Sequence, residues 1–319
     1  MLSEFDLIAK YFTRPTPRVA LGIGDDCALL TPSAGMQIAI SCDMLVSGTH
    51  FFADADPRML GHKSLAVNLS DLAAMGAKPV AYTLALSLPK PDEAWLKAFA
   101  EGMFALADLH QCELIGGDTT RGPLNICVTI FGELPVGSAL RRDAAKPCDD
   151  IWVSGSLGDA RLGLAACLSE LTLDASTQIA AESRLHVPTP RIKLGIALRG
   201  LAHAAIDISD GLIGDLGHIL KRSSVGATLN VDALPAGPML SAQAQELQRR
   251  FALAGGDDYE LCFTAPAMHR DAVMTAGKKV GVALTRVGTI DAATGLRLVD
   301  AGGQPLEFHS ASFDHFKTP

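Results

Sequence analysis

At 319 residues, with 48% of them apolar and no low-complexity tract, the chain is long enough for two domains with sizeable cores. A formal net charge of −8 without any basic stripe excludes a general nucleic-acid binder, although carboxylates can still meet nucleotide phosphates through bridging cations. Seven cysteines, odd in number and never in a CxxC pair, fit a reducing cytoplasm, and no secretory leader or apolar run long enough to span a membrane is evident, so a cytoplasmic protein without a membrane partner is expected.

Residues 3–12 read as a short amphipathic helix with Ser3 as N-cap. "MQIAISCDML" alternates like a strand that ends near Asp43. A helix over about 61–77 stops at Gly76, with Pro79 just beyond. "AYTLALSLP" is a strand, and the helix after it begins at Asp92. "CELIGGD" reads as a buried strand running into a glycine turn, and "PLNICVTIFGEL" as a strand with Leu124, Ile126, Val128 and Ile130 on one face. The stretch 137–150 carries Gly, Pro and charge with weak periodicity, which places a domain boundary there. Strand "DIWVSG", the loop "SLGDA" and a helix over about 159–171 open the second half. Strand "HAAIDIS" and helix "DGLIGDLGHILKR" follow, then strands "ELCFTAP", "TRVGTI" and "GLRLVD", the last two bracketing a turn as a hairpin would. Both halves alternate strands and helices, which predicts two α/β or α+β domains.

One pattern recurs in both halves. Asp follows an apolar run beside Gly or Ser in "GIGDD", "SCDML", "NLSDL", "IGGDTT", "IDISDG" and "AGGDDYE". Each alone is most simply a turn or an N-cap. As a set they sit at the ends of predicted strands and starts of helices, where α/β sheets bind ligands. Crowded carboxylates repel and protonate unless cations are present, and oxygen-only donors favour Mg²⁺ bridging to phosphate over zinc. Asp215, one turn into its helix, either caps or points away. "GSLGDARLG" can offer backbone amides to phosphate at a helix start or serve as a plain turn. No GxxxxGK[ST] P-loop is present.

The segments "GIGDDCALL", "CDMLVSGTHF", "AVNLSDLAAMGAKP", "LIGGDTTRGP", "RRDAAKPCDD", "AIDISDGLIGDLGH", "GGDDYELCF" and "FDHF" together resemble, in order and over nearly the whole chain, the thiamine-monophosphate kinase family. The resemblance implies a two-domain fold like that of aminoimidazole-ribonucleotide synthetase. An N-terminal α/β domain (1–137) would bind ATP and metal and dimerise through its sheet, and a C-terminal α+β domain (138–319) would complete the active-site cleft. It implies transfer of the ATP γ-phosphoryl group to thiamine monophosphate by a homodimer using several Mg²⁺ ions. By position in the family motifs, Asp26, Ser41, Cys42, Asp43, Asp71, Asp118, Asp207 and Asp210 would hold metal. Gly117, Asp118, Arg142 and Ser209 would bind ATP, and His50, Asp257 and Phe313 would contact the thiamine phosphate. Asp43, Asp118 and Asp210 would matter most, with no single catalytic base. Of the "GIGDD" pair, Asp26 is the expected ligand and Asp25 the residue that orients the turn. Three positions depart from the family pattern: Cys42 stands where Thr is common, Asp257 where Glu is common, and Cys148 where Gly is usual. A thiol is a poor Mg²⁺ ligand, so Cys42 fits only through its main chain. The other readings are a different ATP-dependent synthetase of this superfamily and a non-catalytic nucleotide- or metal-binding regulator.

Overall fold

A computed structural model describes residues 3–308. Among them the chain forms two compact units that part after Gly137, with Ala73–Gly76 counted with the second.

In the first unit, helix α1 (Glu4–Tyr11) opens with a capping box between Ser3 and Asp6. Strand β1 (Met36–Val46), helix α2 (Pro57–Ala74), strand β2 (Lys78–Leu88), helix α3 (Glu93–His110), and strands β3 (Glu113–Arg121) and β4 (Asn125–Pro135) follow. Asp92 caps α3 through the amide of Trp95, and Gln111 ends it in the left-handed conformation. The sheet order is β1-β4-β2-β3. β4 pairs antiparallel with both β1 and β2, while β2 and β3 are parallel because α3 carries the chain back between them. Leu65, Leu69 and Leu72 of α2 and Leu96, Phe99 and Met103 of α3 are almost wholly buried, as are Tyr82, Leu86, Ile126 and Ile130 of the strands. The alternate positions of β1 are open, with Ile40 63% and Met44 54% exposed.

Two strand ends differ from the sequence reading. β1 does not stop near Asp43 but runs on to Val46, since β4 offers partners as far as Asn125. β3 does not turn at its glycines: pairing with β2 carries the strand through Gly116, Gly117 and Asp118 to Arg121.

The second unit holds a six-stranded mixed sheet in the order β10-β7-β9-β5-β8-β6. Its elements are β5 (Asp149–Ser154), α4 (Asp159–Cys167), α5 (Ala175–His186), α6 (Ile192–Leu198), β6 (Ala204–Asp207), α7 (Leu212–Ser223), β7 (Gly226–Asn230), α8 (Gln245–Ala254), β8 (Leu261–Pro266), α9 (Arg270–Val280), β9 (Leu284–Asp291) and β10 (Gly295–Val299). β5 is buried at every position because it lies between β8 and β9 in the sheet interior. Ile151, Val153, Ile206, Leu216 and Leu253 belong to one core cluster.

The expected hairpin of "TRVGTI" and "GLRLVD" is not formed. β7 lies between β9 and β10, antiparallel to the first and parallel to the second. The 292–294 turn therefore passes over the start of β7 at Gly226, where a Cβ would come 2.0 Å from the Ala293 carbonyl oxygen. Only glycine leaves room for that crossing. Helices α5, α6, α8 and α9 and strand β7 also fall outside the sequence reading; α6 has only seven residues and β7 only five, too few to display a period.

Cys148 adopts φ +73, in the left-handed region that favours glycine. Its amide is tied to the Ile290 carbonyl at 2.8 Å, so the turn cannot relax. Replacing Cys148 by Gly is expected to raise stability by about 1 kcal/mol, read as a higher denaturant midpoint at unchanged slope. Buried Asp150 accepts from Arg270 Nε at 2.6 Å and Nη2 at 2.8 Å, and from Arg286 Nη1 at 3.2 Å. The Arg270 hydrogen bonds hold its carboxyl below the usual 3.8, with Arg286 adding to the effect. Because the folded-state value is depressed, this stabilisation is present above the ordinary carboxylate range and is lost as pH falls through the folded value. Asp150→Asn is therefore expected to cost about 2 kcal/mol at neutral pH, with the deficit shrinking in acid, as measured by denaturation at a series of pH values.

Candidate active site

In the first unit, β1 and α2 form one polar seam. Alternation along β1 sets Ser41, Asp43 and Leu45 toward one face of the sheet. Asn68 and Asp71, three residues apart on α2, meet that face. The Ser41 hydroxyl donates to Asp71 Oδ2. Asn68, with no exposed surface, accepts the Asp43 amide at 3.1 Å and donates to the Ser64 carbonyl at 3.1 Å. The seam thus gathers hydroxyl and carboxylate oxygens of Ser41, Asp43 and Asp71, a hard donor set suited to Mg²⁺. Among the described residues no three His, Cys, Asp or Glu side chains form a ready-made chelate. Mg²⁺ does not require one, since it binds through one or two carboxylates together with water and phosphate.

Cys42 lies on the other face. Its sulfur is 3.4 Å from Cys127 Sγ and accepts from Thr129 Oγ1 at 3.4 Å. Burial, with the neighbouring Cys42 thiol, pushes Cys127 up to about 11. The Cys42 thiol therefore points away from Ser41 and Asp43, and only its main chain is on their side. Asp118 also departs from the seam. It is exposed and in register with Ala85, which is in register with Cys127. Asp118 thus shares the open face with Cys42 and Met44, three strand spacings or roughly 14 Å from Asp43. Beside it, Gly117 has φ +150, and a Cβ there would come 1.9 Å from the Leu84 carbonyl oxygen.

Asp25 and Asp26 are both exposed, and Asp25 Oδ1 accepts the Asp26 amide at 2.8 Å. That is the turn-orienting geometry expected of Asp25. His50 lies in the tight turn after β1, and its Nδ1 accepts the Val46 amide at 3.0 Å. In the neutral ring the proton is then on Nε2.

In the second unit, β6 ends at Asp207, 5% exposed, and the 208–211 loop leads into α7. Ser209 and Asp210 are half-buried in that loop. Asp215 caps it from within α7: Oδ2 accepts the amides of Ser209 at 3.0 Å and Asp210 at 3.2 Å. Burial and the neighbouring Asp210 push Asp215 up to about 7, opposed by the two amides and by Arg142. Exposed Arg142 is held through its carbonyl, which accepts from Ser223 Oγ at 2.9 Å. Asp257 has φ +64, a conformation that Asp tolerates better than Glu. Its amide donates to the Ser209 carbonyl at 2.9 Å. Phe313 lies outside the described residues.

The "GSLGDARLG" loop is occupied by the protein itself. The amides of Gly155 and Leu157 donate to the carbonyls of Ala283 and Pro235, and both Asp258 oxygens accept the Gly158 amide at 2.9 and 3.0 Å. A side-chain carboxylate stands where a phosphate would, so the plain-turn reading holds for these amides. Burial pushes Asp258 well above the carboxylate range. Wholly buried Glu260 accepts from Arg191 Nε and Ser154 Oγ, each at 2.6 Å. Asp258 and Glu260 lie in the "GGDDYE" motif, beyond the residues that the sequence pattern assigns to the site. Their signal was an acid placed at the start of an apolar strand.

Two family models match: AIR synthase related protein, N-terminal domain, over residues 24–134, and AIR synthase related protein, C-terminal domain, over residues 147–301. The thiamine-monophosphate kinase of Salmonella typhimurium is 50% identical over 322 residues, covering 99% of both chains. That of Escherichia coli is 48% identical, again covering 99% of each. The crystal structure of thiamine-monophosphate kinase from Stenotrophomonas maltophilia superposes with a TM-score of 0.84 at 48% identity, over 92% of this chain and 94% of that one. AaThiL complexed with AMPPCP and TMP superposes with a TM-score of 0.77 at 28% identity, over 90% of this chain and 89% of that one. With near-complete coverage, identity at this level and both domain models in order, the chain belongs to the thiamine-monophosphate kinase family of AIR synthase related proteins.

Proposed function

We infer that this chain transfers the γ-phosphoryl group of ATP to the phosphate of thiamine monophosphate, giving thiamine diphosphate and ADP. Identity of about half over the full length of kinases with this activity carries the reading. AMPPCP and TMP bound to one relative support the pairing of a nucleotide with a thiamine phosphate.

The chemistry asks for positioning and charge neutralisation rather than covalent work. Bound Mg²⁺ would screen the repulsion between the two phosphates and bridge them to the carboxylates. In the first unit, Ser41, Asp43 and Asp71, the Cys42 main chain and Asp26 are the ligand candidates, and Gly117 and Asp118 meet the nucleotide from the open face. In the second unit, Asp207 and Asp210 hold cation, while Ser209 and Arg142 hold nucleotide. His50 offers Nε2–H to the acceptor phosphate, and Asp257 and Phe313 complete the acceptor contacts. The acceptor phosphate is largely ionised near neutral pH, so no general base is needed. The working form is a homodimer that covers the open sheet face of β1, on which Ile40 and Met44 are more than half exposed. Among the described residues no helix is long and apolar enough to cross a membrane, and all seven cysteines are free thiols, which supports a place in the cytoplasm.

Incubation with ATP, Mg²⁺ and thiamine monophosphate is expected to yield thiamine diphosphate and ADP; absence of product with metal present overturns the assignment. Asp43→Asn and Asp118→Asn are each expected to lower turnover on the order of 100-fold with little loss of fold. Near-parental rates in Asp43→Asn would remove the metal assignment in the first unit, and near-parental rates in Asp118→Asn would remove its nucleotide contact.

A further inference from the structure

We propose that Asp215 is a positioning residue: one buried oxygen of its side chain holds the peptide units of Ser209 and Asp210 in the arrangement that serves nucleotide and cation. The proposal deepens the kinase reading and rests on it. Asp215 is 3% exposed, and its Oδ2 alone accepts both amides. The other side of the same loop is also held. The Ser209 carbonyl accepts the Asp257 amide at 2.9 Å, and the Ile208 carbonyl accepts the Tyr259 amide at 2.8 Å. At Gly256 a Cβ would come 2.4 Å from the Ser209 carbonyl oxygen, so the two segments lie in direct contact. The 208–210 loop is therefore a link between Asp210, a cation ligand candidate, and Asp257, an acceptor contact candidate.

Asp215 closes the side of that link that the 257–259 segment leaves open. Gly211, the N-cap of α7, supplies no side-chain cap, so the loop amides depend on the acid one turn into the helix. A buried carboxylate beside Asp210 is costly unless it is hydrogen-bonded, and the two amides supply those bonds. What the loop requires of position 215 is thus an acceptor oxygen at a fixed reach. Loss of that oxygen releases Ser209 and Asp210 and, through the Ser209 carbonyl, Asp257.

The test compares the parent with Asp215→Asn, which keeps an acceptor oxygen at the same reach, and Asp215→Glu, which keeps the charge but moves its oxygens by one methylene. Steady-state kinetics are measured against MgATP and thiamine monophosphate, and hydrogen exchange at the Ser209 and Asp210 amides is measured without substrate. The Glu variant is expected to lose about 100-fold in kcat/KM, with KM rising for both substrates together. The Asn variant should lose far less, and the two amides should exchange faster in Glu than in Asn. If Glu does not fold, Asp215→Ser, whose hydroxyl is too short to reach, replaces it. Equal losses in Asn and Glu overturn the proposal, because an acceptor oxygen at the same reach would then not be what the loop requires; a larger loss in Asn than in Glu overturns it too, because charge would then be what matters. Parental KM values in the Glu variant, or unchanged exchange at both amides, overturn it as well. A parent with no turnover would instead sink the kinase reading and leave amide exchange to judge the hydrogen bonds.

Discussion

The seam between α2 and β1 is the constraint on which the first unit's chemistry depends. Asn68 is wholly buried and bonds at once to the Asp43 amide and to its own helix, while Ser41 donates to Asp71. A strand has a side-chain period of two, so a slip of one residue would turn Ser41 and Asp43 onto the open face and bring the Cys42 thiol to the seam. The β1–β4 register and the Asn68 clamp both oppose that slip. A hard-cation site and an apolar sheet face can then share one strand, since alternate residues serve each.

The second unit meets the same difficulty by other means. Its acids cluster at the end of β6, the start of α7 and the segment before β8, where like charges would drive protonation. The protein answers each one locally. Asp215 takes two loop amides, Asp258 takes the Gly158 amide, and Glu260 takes Arg191 and Ser154. Acids satisfied in this way act as internal scaffolding. They leave Asp207, Asp210 and Asp257 as the members of the pattern assigned to substrate and cation. The "DISDGLIGD" and "GGDDYE" stretches therefore each contain two kinds of acid that look alike in sequence.

The three departures from the family pattern have separate physical meanings. Cys42 is neutral to a hard-cation site because its thiol faces Cys127 and Thr129. Asp257 sits at positive φ, where its short side chain is at ease. Cys148 is the one that carries strain, because a side chain occupies a left-handed turn fixed by the Ile290 carbonyl.

From the sequence alone came the two-domain plan, most strands and helices of the first half, and an acid pattern specific enough to name the family. These are local or ordered properties: periodicity, caps and motif order survive in one dimension. The tertiary structure decided which acids face which way. Pairing partners, not composition, carried β1 past Asp43 and β3 through its glycines, and set Asp118 on the face opposite Asp43. Insertion of β7 between β9 and β10 was hidden because sheet order is a non-local property, and only the missing side chain at Gly226 hinted at the crossing. Whether Asp215 capped or pointed away could not be read from spacing, since a helix position fixes a direction but not the loop that folds back to meet it.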